Sequence, residues 1–176
     1  MPDPHPGSRE HHHRRGAPAA VPTAIVTVSD TRTLATDTGG ARVAELLERG
    51  GHPVVSREVV PDDAQAIAAA VLRLCAQAGV RALVLTGGTG VAPRDVTPDA
   101  VEPLLERSIP GFGELFRALS FAEIGSAALL SRSLAGLRAG RVVFVLPGSR
   151  AAVTLAMEKL VLPELAHLAG EAVKAR

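Results

Sequence analysis

The chain has no tryptophan and no tyrosine, and its only aromatic residues are four phenylalanines. A surface that stacks single-stranded bases needs several aromatic faces, so this composition argues against one. A basic excess is also missing. Nineteen Lys and Arg stand against 18 Asp and Glu, leaving about +1, which gives no electrostatic case for nucleic acid. A single cysteine, Cys75, excludes an intrachain disulfide. It lies at helical spacing among apolar residues and reads as a buried structural thiol in preference to a reactive one. No apolar run is long enough to span a membrane. The amino terminus has proline and charge where a secretory signal has a basic end and an apolar core. These absences predict a cytoplasmic protein with neither nucleic-acid nor membrane partners.

What is present is core-forming material: 47% of the 176 residues are apolar, enough for one domain with a sizeable interior. Residues 1–22 stand apart, with Pro2, Pro4, Pro6, Pro18 and Pro22 and four histidines, His5, His11, His12 and His13. They read as a disordered, solvated tail, with incidental transition-metal binding as the functional alternative. Residues 23–170 are expected to form a single α/β domain.

Within that domain, short apolar strands alternate with helical patterns. Ala24 to Val28, Val54 to Val60, Ala82 to Leu85 and Val142 to Leu146 read as strands, the second nearer an edge because it carries Ser56, Arg57 and Glu58. Helices are predicted from about Asp37 or Thr38 to Arg49, from Asp62 or Asp63 to Ala78, and from Thr97 onward, with Thr97 as cap and Pro98 at the first helical position. Pro103 is expected to distort the middle of that helix. Pro110 opens another helical stretch, and a last helix runs over about Ala151 to His167 with a kink or break at Pro163. Its broad apolar face suggests burial against the sheet and a second subunit, or packing within one chain. Ser126 to Leu137 reads either as a short helix with a turn or as an edge element. The alternation predicts a three-layer α/β fold with a mostly parallel central sheet.

Three strand ends carry unusual loops: Ser29-Asp30, Thr86-Gly87-Gly88-Thr89-Gly90 and Pro147-Gly148-Ser149. In a parallel sheet these converge on one rim, where open α/β sheets place ligands. Three glycines in four positions indicate tight turning or close approach to a ligand, and backbone N–H groups there could receive an oxyanion. The alternative is a plain strand-to-helix connection. The familiar nucleotide-binding glycine fingerprints are absent. Asp62 and Asp95 supply carboxylates suited to a hard cation such as magnesium, although Asp62 could equally serve as a helix cap. Arg94 could pair with Asp95, balance a phosphate or stand exposed. Ser149 could donate to an oxyanion or cap the final helix. It is not read as a nucleophile, since no histidine is placed as its base and the GxSxG elbow is absent.

The chain resembles the MogA/MoaB family of molybdenum-cofactor biosynthesis proteins. The resemblance is carried by Thr27-Val28-Ser29-Asp30, Asp37-Thr38-Gly39, Val60-Pro61-Asp62-Asp63, Leu85 to Gly90, Arg94 to Ala100, Ile109 to Glu114 and Leu146 to Ser149, in the family order. It spans essentially residues 23–168 and leaves out the tail. It implies a molybdopterin-binding α/β domain, usually a homotrimer or homohexamer, working with other proteins of the same pathway. In its adenylyltransferase members AMP passes from ATP to molybdopterin with release of pyrophosphate, assisted by Mg2+. On that resemblance, Asp62 and Asp95 match the functional, metal-holding carboxylates. Ser29, Asp30, Thr86, Gly87, Gly88, Thr89, Gly90, Pro147, Gly148 and Ser149 line the pterin and phosphate region. A molybdenum-inserting domain has similar loops, but a standalone domain of this length points away from it.

Three functions follow as expectations. The first is molybdopterin adenylyltransferase. The second is a molybdopterin-binding or scaffold protein with little transferase activity, a reading that Pro147-Gly148-Ser149-Arg150 and Leu162-Pro163-Glu164-Leu165 bring closer to the MoaB-like branch. The third is an unrelated phosphate- or nucleotide-binding regulator, which would bind ATP without pterin.

Overall fold

The computed structural model describes residues 18–174. Most of the expected tail therefore lies outside the described residues. Val21, inside its expected limit, is fully buried and belongs to the core, so packing begins ahead of the first strand.

Six strands form one sheet: β1 (Thr23–Val28), β2 (Val54–Val60), β3 (Ala82–Thr86), β4 (Arg107–Ser108), β5 (Leu134–Arg138) and β6 (Arg141–Leu146), in the order β2-β1-β3-β6-β5-β4. The first four in that order run parallel; β5 pairs antiparallel with β6, and β4 pairs antiparallel with β5, so only β5 runs against the rest. Helices α1 (Thr38–Arg49), α2 (Ala64–Ala76), α3 (Thr97–Val101), α4 (Pro110–Ile124), α5 (Arg150–Ala156) and α6 (Leu162–Glu171) cover both faces.

Every residue of β1 and β3 is buried, as strands covered on both sides must be. Alternate side chains divide between two cores. Ile25, Val84 and Phe144 face the layer of α1, α4, α5 and α6, where the Phe112 and Phe144 rings meet at 5.5 Å with a tilt of 58°. Val26, Leu83, Leu85 and Val145 face α2 and α3. Cys75 is buried on that second side, and burial pushes its thiol pKa up, away from reactivity.

Four local readings are settled or changed. Asp63, not Asp62, caps α2, its carboxylate accepting from the Ala66 N–H at 2.8 Å. Thr97 is not a cap: Val96 occupies that position and no side chain caps α3. That helix ends after five residues and passes into a 3-10 turn, Glu102–Leu104, that contains Pro103. Finally, the last helix is divided just ahead of Pro163, one of the two outcomes expected there. Because Pro163 lacks an N–H and its ring crowds the preceding turn, residues Met157–Val161 widen into a π-helical turn, and the Leu162 N–H reaches the Met157 carbonyl. The ambiguous stretch before β6 resolves into a 3-10 turn, Gly125–Leu130, followed by β5.

Candidate functional site

The parallel strands β1, β3 and β6 are neighbours in register, so their carboxyl ends open on one rim. The loops there touch through backbone. Gly87 donates its N–H to the Leu146 carbonyl at 3.0 Å, and the Thr86 hydroxyl donates to the Pro147 carbonyl at 2.9 Å. Gly87 has φ +108, and a side chain on it would strike the Val28 carbonyl at 2.4 Å. Only glycine allows β1 and the β3 loop to close so tightly. A Cβ placed on Gly148 would lie 3.3 Å from the Gly87 Cα, so the third loop closes against the other two.

Asp30 and Asp62 clasp one another across the rim. The Asp30 N–H donates to Asp62 Oδ2 at 3.1 Å, and the Asp62 N–H donates to Asp30 Oδ1 at 3.0 Å. Arg94 reaches this pair, 2.8 Å from Asp30 Oδ2 and 3.6 Å from Asp62 Oδ2. Arg94 therefore pairs with Asp30 and Asp62 and not with Asp95, one of the three roles left open for it. Ser29 turns its hydroxyl inward to accept from the Thr31 and Arg32 N–H groups, each at 3.2 Å.

Asp95 stands at the other end of the glycine loop. Its Oδ2 accepts from the Ala92 N–H at 2.9 Å and lies 2.6 Å from where a Gly90 Cβ would be. Asp62 Oδ1 lies 3.3 Å from the corresponding point on Gly88. The two carboxylates thus bracket the loop. Among the described residues, no group of three or more His, Cys, Asp or Glu is arranged to hold a metal ion. Magnesium is commonly held by one or two carboxylates with substrate phosphates completing its shell, so Asp62 and Asp95 suit it chemically. Arg94 already supplies positive charge beside Asp62. Ser149 caps α5, accepting from the Ala152 N–H at 3.2 Å, while its exposed hydroxyl keeps a proton to donate.

Two supports were not legible as site residues. Arg132, from the stretch before β5, donates to the Gly90 carbonyl at 2.9 Å, to the Asp95 carbonyl, and to both Asp99 oxygens at 2.9 Å. Its own N–H donates to the Thr89 carbonyl at 3.0 Å. It ties down the outer half of the glycine loop beside an open cavity of about 370 Å³ lined by Asp99, Arg117, Ser131, Arg132 and Ser133. The second support is Asp37, the α1 cap, which accepts from the Gly40 N–H, the Thr27 hydroxyl and Arg57. Burial alone would raise its pKa, but these three hydrogen bonds and the Arg57 charge outweigh it and hold the carboxyl below its ordinary value. The Thr-Asp-Thr-Gly-Gly turn marks Asp37 as a cap, but nothing nearby in sequence announces Arg57 or Thr27 as partners.

Residues 24–167 match the family model described as a probable molybdopterin binding domain. The chain belongs to the molybdopterin-binding domain family. Within it, the sequence is 47% identical over 165 residues to molybdenum cofactor biosynthesis protein B of Halalkalibacterium halodurans, covering 93% of this chain and 97% of that protein. A solved structure of a molybdenum cofactor biosynthesis protein B superposes with a TM-score of 0.86 at 50% identity, covering 89% of this chain and 98% of the other. The tungsten cofactor synthesizing protein MoaB of Pyrococcus furiosus gives 0.82 at 34% identity, with 90% and 100% coverage. The resemblance to the MogA/MoaB family therefore stands, and with it the three-layer α/β architecture of the molybdopterin-binding domain family.

Proposed function

We propose that this chain binds molybdopterin at the rim formed by the ends of β1, β3 and β6, and serves molybdenum-cofactor biosynthesis as a pterin-binding protein with little AMP transfer. The observation that carries this reading is the glycine loop Gly87–Gly90. It is braced by Arg132 on one side and by the β1 and β6 loops on the other. Such a braced loop offers backbone N–H groups to a phosphate without needing many basic side chains. Thr86, Thr89, Ser29, Pro147, Gly148 and Ser149 shape the rest of the seat. The relatives named above are designated biosynthesis protein B or MoaB, which favours the binding role. Both carboxylates also have positional duties that need no cation: Asp62 in the clasp with Asp30 and Arg94, Asp95 in closing its own loop.

The second reading is adenylyl transfer, and one observation favours it. With Asp63 as the α2 cap, Asp62 has no capping duty to explain its presence beside Gly88. In that chemistry an oxygen of the molybdopterin phosphate forms a bond to the α-phosphorus of ATP. The α–β bridging P–O bond breaks and pyrophosphate departs. Mg2+, when bound, would neutralise charge on the transferring and leaving phosphates, held by Asp62 and Asp95. The loop N–H groups would hold the phosphate oxygens in place, and Arg94 would balance their charge. An ionised phosphate nucleophile needs no general base.

The deciding experiment incubates the protein with molybdopterin, ATP and Mg2+. It follows pterin binding by fluorescence together with the appearance of adenylylated molybdopterin and pyrophosphate. Tight pterin binding without either product supports the binding role. Stoichiometric formation of both products replaces it with the transferase. ATP binding that is indifferent to pterin removes both.

A further inference from the structure

Thr97 is fully buried, and its Oγ1 has no hydrogen-bond partner. A buried hydroxyl left unmet is costly and calls for a reason. Valine has the same shape and no hydroxyl to satisfy, so packing alone does not require threonine here. Capping does not explain it either, since Val96 holds the cap position. The Thr97 N–H is bonded to the Gly88 carbonyl at 3.1 Å, which fixes the residue directly behind the glycine loop.

The position of the free hydroxyl is informative. A Cβ placed on Gly88 would lie 2.4 Å from Thr97 Oγ1 and 3.3 Å from Asp62 Oδ1. The missing side chain of Gly88 thus leaves open the one spot that both oxygens border. Asp62 Oδ2 is already engaged, by the Asp30 N–H at 3.1 Å and by Arg94 at 3.6 Å. Its Oδ1 has no hydrogen bond among the described residues and is on the side of Thr97. A donor without an acceptor and an acceptor without a donor therefore border the same glycine.

We propose that Thr97 is a positioning residue whose hydroxyl becomes the hydrogen-bond donor that orients the Asp62 carboxylate when the rim takes up a phosphate-bearing ligand. Arg94 is the trigger. Its side chain is 63% exposed, and an incoming phosphate draws it away from Asp62. Asp62 then loses a cationic partner, and the Thr97 hydroxyl replaces that interaction on Oδ1 across the bare face of Gly88. The inference rests on the reading of this rim as the molybdopterin site and adds a residue to it.

The test uses the full chain and its T97V, T97S, D62N and T97V/D62N variants. Each is titrated with molybdopterin, followed by pterin fluorescence, and with inorganic pyrophosphate and Mg2+ in a calorimeter. T97V is expected to melt at or above the wild-type temperature yet bind about tenfold more weakly, the loss of one hydrogen bond to a charged group. T97S should stay within about twofold of wild type, and T97V should add nothing in the D62N background. A T97V variant that binds like wild type, or that loses the same factor with Asp62 already replaced, overturns the proposal. Should T97V lose the fold, T97A against T97S makes the same comparison. Wild-type protein that binds pyrophosphate but not molybdopterin overturns the pterin reading and leaves the T97V comparison decisive. Wild-type protein that binds neither overturns both.

Discussion

Arg132 shows how one side chain sets the shape of a loop far from it in sequence. Its guanidinium spans two backbone carbonyls and a carboxylate, which a lysine ammonium cannot reproduce. Arg132→Ala should destabilise the protein by about 2 kcal/mol, lowering the melting temperature by roughly 5 °C. Arg132→Lys should recover little of that, and amide exchange at Gly88 to Gly90 should quicken in both. Normal exchange in Arg132→Ala would show that the loop holds itself. Asp37 and His52 set the response to acid. His52 accepts from the Val21 N–H at 3.1 Å, and burial lowers its pKa from the ordinary 6.5, so folding favours the neutral ring. Its contribution is complete above pH 6.5 and is lost as pH falls below that value. The lowered pKa of Asp37 gives a second loss as pH falls below its ordinary 3.8. Denaturant stability should be flat between about pH 6.5 and pH 9.0, decline in two stages below that window, and fall again above it, where the unfolded chain ionises Cys75 and the folded chain, with its raised thiol pKa, does not. The first stage should vanish in His52→Asn, and its survival there would assign it to another group.

Among the elements, α5 carries two demands on a single residue. Ser149 caps the helix and also faces the rim. Ser149→Ala should cost about 1 kcal/mol of stability, read by chemical denaturation. Ser149→Asp keeps a capping oxygen and should restore stability, but its charge should weaken binding of molybdopterin phosphate. Unchanged binding in the aspartate variant would leave Ser149 a cap alone. Legibility also varied by element. β1, β3 and β6 announced themselves as apolar runs because both of their faces are buried, while β2, at the edge, was marked by paired valines around Ser56-Arg57-Glu58. β4 and β5 did not. β4 is two exposed residues, and β5 interrupts its apolar pattern with Gly136. The π-helical turn was equally hidden, because proline signals a disturbed helix without saying how the freed groups are re-paired. At the rim, the residues that follow strands were readable in order along the chain. Arg132, Arg57 and the orphaned Thr97 hydroxyl were not, since each acquires its role from a partner tens of residues away or from having none.

At the scale of the molecule, an apolar surface remains unexplained by one chain. Phe121, Ile124, Leu129 and Leu130 are 63%, 60%, 78% and 55% exposed, on α4 and the 3-10 turn after it. Large apolar side chains exposed on adjacent elements suit an interaction surface. We expect wild-type protein to be a homotrimer or homohexamer by light scattering, and Leu129→Glu to shift it toward monomer. A monomeric wild type would remove that assignment. Among the described residues, no helix is long and apolar enough to cross a membrane.

The place of β6 in the sheet has a consequence for how the protein is made. It lies between β3 and β5, yet it is the last strand among the described residues, and the two helices after it supply much of one core. A growing chain that has passed β5 but not β6 presents the open edge of β3 and an uncovered apolar face. Such an edge is a template for pairing with other chains. Protein synthesis therefore passes through a sticky stage that closes only once β6 and the helices after it, Arg141 to Glu171, have been added. A chain stopped at Gly140 should aggregate on release, whereas one lacking only residues 1–17 should stay monodisperse. A soluble, folded product ending at Gly140 would show that β1 to β5 close without β6.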